Sequence, residues 1–288
     1  MRRAAFVLAA LLVLAGTAEA KKKKHEDKAA PFPPAADSVT VALWSFDENG
    51  GPIAGDSGPF RMTGTAAPDA RTDFGRYHSA RIFNRTQQSF VIVPPNPTMN
   101  LRGPFSIEAW VYVNSWSAYE LQVIAARWSP VPGDQSWVFG VSGLKEKYPV
   151  VPAGPELFAS AVLDVPATRL VFAMQPAEAA AMVSFASIGS LPQGRWVHVA
   201  ATADGETVRL YIDGRMDTQF ATRNLPRASL APIVFGGFVD PRRISDQSGH
   251  MQIDGTSDYS SFYGFDGAID EVRLSSTART RFESAGKP

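Results

Sequence analysis

The 288-residue chain has no cysteine. That excludes disulfide staples, zinc–thiolate sites, thiol nucleophiles and a lipid-modified N-terminal cysteine. A fold without staples must rest on its core, which a domain of roughly 250 residues is large enough to build. Net charge is missing too, with 28 basic residues against 28 acidic ones. Histidine is scarce: His25 in a charged tail, His78 and His250 in loop-like sequence, His198 in a strand-like run. No apolar run reaches the length of a membrane span, so no transmembrane span is expected. Helical periodicity is almost absent; the best stretch, PAEAAAM (176–182), is long enough for a turn or one coil. Catalytic signatures are missing as well. A glucanase ladder of the form E-x-D-x-x-E does not occur: Glu108 stands alone, and Asp270 and Glu271 are adjacent, pointing to opposite faces of a strand. There is no G-x-S-x-G elbow, H-E-x-x-H helix or P-loop. These gaps argue against an enzyme.

What is present begins with MRRAAFVLAALLVLAGTAEA. Arg2 and Arg3 precede an apolar run from Ala4 to Leu14, and Ala18-Glu19-Ala20 is a small-x-small cleavage site. This is the pattern of a secretory signal peptide over residues 1–20, so a secreted or periplasmic protein is expected. Residues 21–38, KKKKHEDKAAPFPPAADS, read as a Lys/Pro-rich tail and linker. Lys21–Lys24 could touch an anionic surface; the plainer alternative is a solvated leader. Without residues 1–20 the chain carries 26 positive and 27 negative charges, and from Ala29 onward 21 against 25. A mildly acidic body with one basic tip is not the footprint of a nucleic-acid binder.

From Val39 on, strand-like segments recur between Gly, Pro, Asn and Asp clusters. In FSIEAWVYV (105–113), Phe105, Ile107, Ala109, Val111 and Val113 share one face, and Ser106, Glu108, Trp110 and Tyr112 the other. In GRWVHVAATADGETVRLYIDGRMD (194–217), two Asp-Gly pairs separate alternating runs, predicting a three-strand antiparallel meander with tight turns at 204–205 and 213–214. Its apolar face needs a second sheet. The expected fold is all-β: an antiparallel sandwich of jelly-roll type over 39–288, one domain with long loop insertions at 143–168 and 240–262.

LWSFDENGGPIAGDSG, FSIEAWVYV, VIAARW, GRWVHVAATADGETVRLYIDG and FDGAIDEVRL occur in this order. Together they resemble the laminin-G-like, concanavalin A-like jelly-roll domains of secreted bacterial proteins, over about 39–274. The two insertions depart from that pattern. The resemblance implies a structural calcium between Asp56, in the first loop, and Asp270, on the last strand. The alternative has Asp56 capping its own turn and Asp270 as an exposed strand residue. Loop aromatics are candidates for stacking on sugars: Trp116 and Tyr119 in NSWSAYE, and Tyr259, Phe262 and Tyr263 in DYSSFYGF. Trp44, Trp110, Trp128, Trp137 and Trp196 fall in strands and read as packing. The leading expectation is a non-catalytic module that binds carbohydrate or another extracellular surface through rim loops. A structural or adhesive protein-docking domain and a glycan-active hydrolase are the alternatives.

Overall fold

The computed structural model describes residues 33–87, 89–119, 121–129, 133–146, 165–178, 182–239, 244–247, 250–253 and 263–282. Two antiparallel sheets face each other. The front sheet holds β1 (Thr40–Trp44), β4 (Arg71–Phe74), β5 (Ser79–Phe83), β7 (Phe105–Val113), β12 (Trp196–Ala203), β13 (Thr207–Ile212), β14 (Arg215–Ala221) and β18 (Gly267–Ser275). The back sheet holds β2 (Ile53–Ala54), β3 (Gly64–Ala66), β6 (Val91–Val93), β8 (Leu121–Trp128), β9 (Gln135–Ser142), β10 (Arg169–Met174), β11 (Val183–Ser190) and β15 (Ile233–Phe235). The all-β sandwich expected from the strand pattern is what forms. The stretch 240–262, expected to be a loop, contains a further hairpin, β16 (Ile244–Gln247) with β17 (His250–Ile253). Residues 1–20, Lys21–Lys24, most of the 143–168 insertion and Tyr259 lie outside the described residues.

The front sheet runs β14-β13-β12-β7-β18-β5-β4, with β1 also on β18. β7 sits at its centre, and its inward residues Phe105, Ile107, Ala109, Val111 and Val113 all enter the main core. Rings from both sheets interlock there: Trp44 meets Phe235 edge-on at 5.0 Å, and Phe105 meets Phe172 at 5.8 Å. The two expected turns differ. At 213–214, Asp213 (φ 50°) and Gly214 (φ 72°) are both left-handed, so a two-residue turn closes β13 on β14. At 204–205 the strands separate earlier, and the Asp204 carboxylate ties the longer turn by accepting the amides of Glu206 and Thr207. Edge strands are stitched shut across the layers. Asp217 on β14 accepts the amides of Ile188 (2.6 Å) and Gly189 (2.9 Å) on β11, leaving neither edge bare along that stretch.

Candidate functional site

The outer face of the front sheet divides into two halves. In one half, Glu108 on β7 is buried together with Arg273 on β18 and His198 on β12. Glu108 accepts from Arg273 Nε at 2.7 Å and lies 2.9 Å from His198 Nε2. Burial alone would raise the Glu108 carboxyl, but His198 and Arg273 together hold it below the usual carboxylate range. The pairing depends on an irregularity in β18. The register slips between Asp270 and Arg273, with Glu271 in left-handed backbone (φ 50°), which brings Arg273 opposite Glu108. The chain's own ends cover this half. Arg273 donates to the Ala35 carbonyl, Ser106 donates to the Thr277 carbonyl, and the Phe282 ring lies against His198 and Tyr211.

In the other half no described residue lies over the strands. Trp196, Tyr112, Ala268 and Ile82 pair in sequence across β12, β7, β18 and β5, forming one cross-strand row. The Trp196 and Tyr112 rings meet edge-on at 5.8 Å, and both are half-buried. Ala268 is the small residue of the row, so a trough runs between Tyr112 and Ile82. Phe74, 90 % exposed, stands at its β4 side. The resulting groove has a volume of about 420 Å³. Gly267 makes the row possible: a Cβ there would sit 1.9 Å from the Tyr112 carbonyl oxygen.

Polar groups rim this groove: Asp73, Asn84, Asn114 and Asp266. The Asp266 carboxylate is fixed by the Arg85 guanidinium at 3.4 Å, by the Ser115 hydroxyl and by the Asn114 amide at 3.5 Å. Aromatic faces with a few held polar groups beside them suit a ligand having one apolar face and several hydroxyls.

Of the residues expected to form a site, few meet. Trp116 packs against the main core, and Tyr119 belongs to a loop bonded to residues 144–145. Tyr263 is 6 % exposed, its ring edge-on to Phe238 at 6.1 Å, so it offers no free face. Asp56 does what the turn-capping alternative describes: its carboxylate accepts the amides of Leu43 (2.8 Å), Gly58 (2.7 Å) and Met62 (2.7 Å). Three of its four acceptor positions are thereby filled, a poor fit to calcium. Asp270 is not the exposed residue of that alternative; it is fully buried beneath the Arg76–Tyr77 turn. Its Oδ2 accepts the Tyr77 amide at 3.1 Å, and its Oδ1 has no hydrogen-bond partner among the described residues. Burial pushes this carboxyl up to about 7, with the charge of Asp47 adding to the effect and backbone amides opposing it. An orphaned buried oxygen beside a second carboxylate fits a cation. Among the described residues no three His, Asp or Glu side chains gather into a metal cluster, so backbone carbonyls would have to complete the shell. Trp196 and Tyr112, read from sequence as packing and as an outward residue of no stated role, are the residues that line the groove.

Residues 84–283 match the family model described as the concanavalin A-like lectin/glucanases superfamily, of laminin G type. No curated protein matches the sequence. Among solved structures, the chain is similar to the fourth domain of AbnA, a GH43 extracellular arabinanase from Geobacillus stearothermophilus in complex with arabinotriose. That match has TM-score 0.50 and 18% identity, covering 85% of this chain and 95% of that one. It is also similar to the binding domain of Paraclostridial Mosquitocidal Protein 1 (TM-score 0.53, 14% identity, 85% and 50% coverage). A third match is botulinum neurotoxin type C, whose cell entry depends on two ganglioside molecules (TM-score 0.55, 12% identity, 84% and 48% coverage). The chain thus spans about half the length of the two toxin chains.

Proposed function

The chain belongs to the concanavalin A-like lectin/glucanase superfamily, and we propose that it is an exported, non-catalytic carbohydrate-binding module whose sugar site is the groove on the outer face of the front sheet. The observation that carries this reading is the row Trp196–Tyr112–Ala268–Ile82. It sets two half-exposed rings beside a trough on the uncovered half of that face. Sugar rings stack their C–H faces on such aromatics, while hydroxyls reach Asp73, Asn84, Asn114 and Asp266. The arabinotriose complex of one structural relative and the gangliosides named for another supply the first probes. Binding fits better than hydrolysis. A glycosidase needs one carboxyl that keeps its proton beside one that does not, whereas Asp266 is tied into an ion pair and Asp73 Oδ1 accepts the Phe74 amide.

Calcium belongs in this reading as a structural ion at Asp270, with Asp47 beside it, rather than between Asp270 and Asp56. Export is supported by the N-terminal pattern, and the mature N-terminus is expected at Lys21. The direct test is calorimetric titration with arabinotriose and with a ganglioside oligosaccharide. Trp196→Ala should weaken binding about tenfold or more with folding intact. A folded Trp196→Ala protein that binds as tightly as the parent would remove the groove from the proposal.

A further inference from the structure

Strand order places a second cavity at the other end of the sandwich, where β7 and β13 begin and β12 and β14 end. Its volume is about 440 Å³, and residues 99–102, 136–137, 177–178 and 223–228 line it. The frame is well fastened. The Arg227 amide donates to the Gln175 carbonyl at 2.9 Å, Ser136 Oγ donates to the Arg227 carbonyl at 2.7 Å, and the Ser229 amide donates to Asn100 Oδ1 at 2.9 Å.

Three arginines line this frame: Arg102 and Arg223, both exposed, and the half-buried Arg227. Among the described residues none of the three has a hydrogen-bond or ion-pair partner for its side chain. Among the described residues Glu178 is the one carboxylate of the lining, so these residues carry a local excess of positive charge. That excess stands out in a body that is negative overall, at 21 positive against 25 negative charges from Ala29 on. Three like charges gathered with a single carboxylate repel one another, and a bound anion relieves that cost. Asn100, Ser136 and Asn224 add polar groups to the lining, and its apolar side chains are the buried Met99, Phe105 and Trp137 with the half-buried Leu101 and Leu225. A small inorganic anion would satisfy the arginines and leave Leu101 and Leu225 wet. A sugar ring bearing a carboxylate would satisfy both.

The geometry points to a second binding site in this cavity, for a saccharide chain carrying carboxylate groups of the uronic acid type. Guanidinium forks match a planar carboxylate in two parallel hydrogen bonds, and the half-buried Leu101 and Leu225 receive the ring. This site stands independently of the groove, because it shares no residue with it and lies at the opposite end of β7.

The experiment is equilibrium binding of the full chain to oligogalacturonate in 50 mM NaCl. Parallel titrations use its methyl-esterified form, a sulfated oligosaccharide and inorganic sulfate. The acid form should bind, and the ester at least tenfold more weakly. Affinity should fall about tenfold by 300 mM salt, as expected of exposed charge pairs. Arg102→Ala and Arg223→Ala, both at exposed positions, should each weaken binding about tenfold, whereas Trp196→Ala should not. Equal binding of acid and ester would overturn the inference, as would an Arg102→Ala/Arg223→Ala protein that binds like the parent. Binding of the sulfated chain or of sulfate alone, without the uronate, would overturn it too by assigning the arginines to another anion.

Discussion

The two halves of the front sheet's outer face share the central strands β12, β7 and β18, with a register slip in β18 between them, yet they have opposite fates. Around Glu108 the chain's ends lie across the sheet, and the ionised groups there are matched: Glu108 with Arg273 and His198, Arg273 with the Ala35 carbonyl. Around Trp196 no described residue lies across the sheet, and the rings remain half-exposed. Charged residues are affordable on the covered half only because each has a partner. Aromatic residues are useful on the bare half only because none of them is covered. The same alternation along β7 therefore yields scaffold at one end of the strand and a candidate binding surface at the other.

Four outcomes would break or sharpen that contrast. The largest belongs to the covered half. Glu108→Ala leaves Arg273 buried without its carboxylate and should cost about 3–5 kcal/mol in urea unfolding. Sugar affinity per folded molecule should stay unchanged.

Next comes Asp270, at the boundary of the halves. Its carboxyl is raised from 3.8 to about 7 by burial, so in calcium-free buffer the folded protein holds a proton that the unfolded chain has lost. The contribution of this group is therefore fully present below pH 4, declines between pH 4 and 7, and is flat above. The decline is on the order of 4 kcal/mol at most. Comparing the stability–pH curves of the parent and Asp270→Asn isolates it: the parent should lose stability relative to the variant between pH 4 and 7, and the difference should be constant above pH 7. Glu108 runs the other way: its lowered carboxyl contributes stability that is lost as pH falls through its folded value, and it is common to both proteins.

Third, millimolar calcium at pH 7.5 should raise the melting temperature by roughly 5 °C, and EDTA should reverse this. Asp270→Asn should abolish the response, while Asp56→Asn should lower stability and keep it. The smallest stability effect belongs to the bare half: Trp196→Ala should move the melting temperature by no more than about 2 °C, as for surface changes generally, in contrast with its loss of sugar binding.

Much of this architecture was legible beforehand. FSIEAWVYV alternates cleanly, and β7 spans the same nine residues with the same five facing the core. The Asp213-Gly214 turn followed from its two positive-φ residues. The site was less legible for a physical reason. Alternation shows that Glu108 and Tyr112 share the outer face, but not that residues 35 and 276–282 stop short of Tyr112. Such cover is set by contacts more than 70 residues apart in sequence. Trp196 looked like packing because it lies in a strand; its outward phase opposite Tyr112 was the signal that could have flagged it. Loop position misled in the other direction, since Tyr263 is buried with its ring against Phe238. The arginine cavity draws on segments from residues 99 to 228, and no local motif announces it.

The most direct test fills the trough without removing either ring. Ala268→Phe projects a side chain into the groove from its floor and leaves the strand pairing intact. Measured by titration with whichever oligosaccharide binds the parent, affinity should drop at least thirtyfold, with the melting temperature within about 2 °C. A folded Ala268→Phe protein that retains the parent's affinity would show that the sugar sits elsewhere.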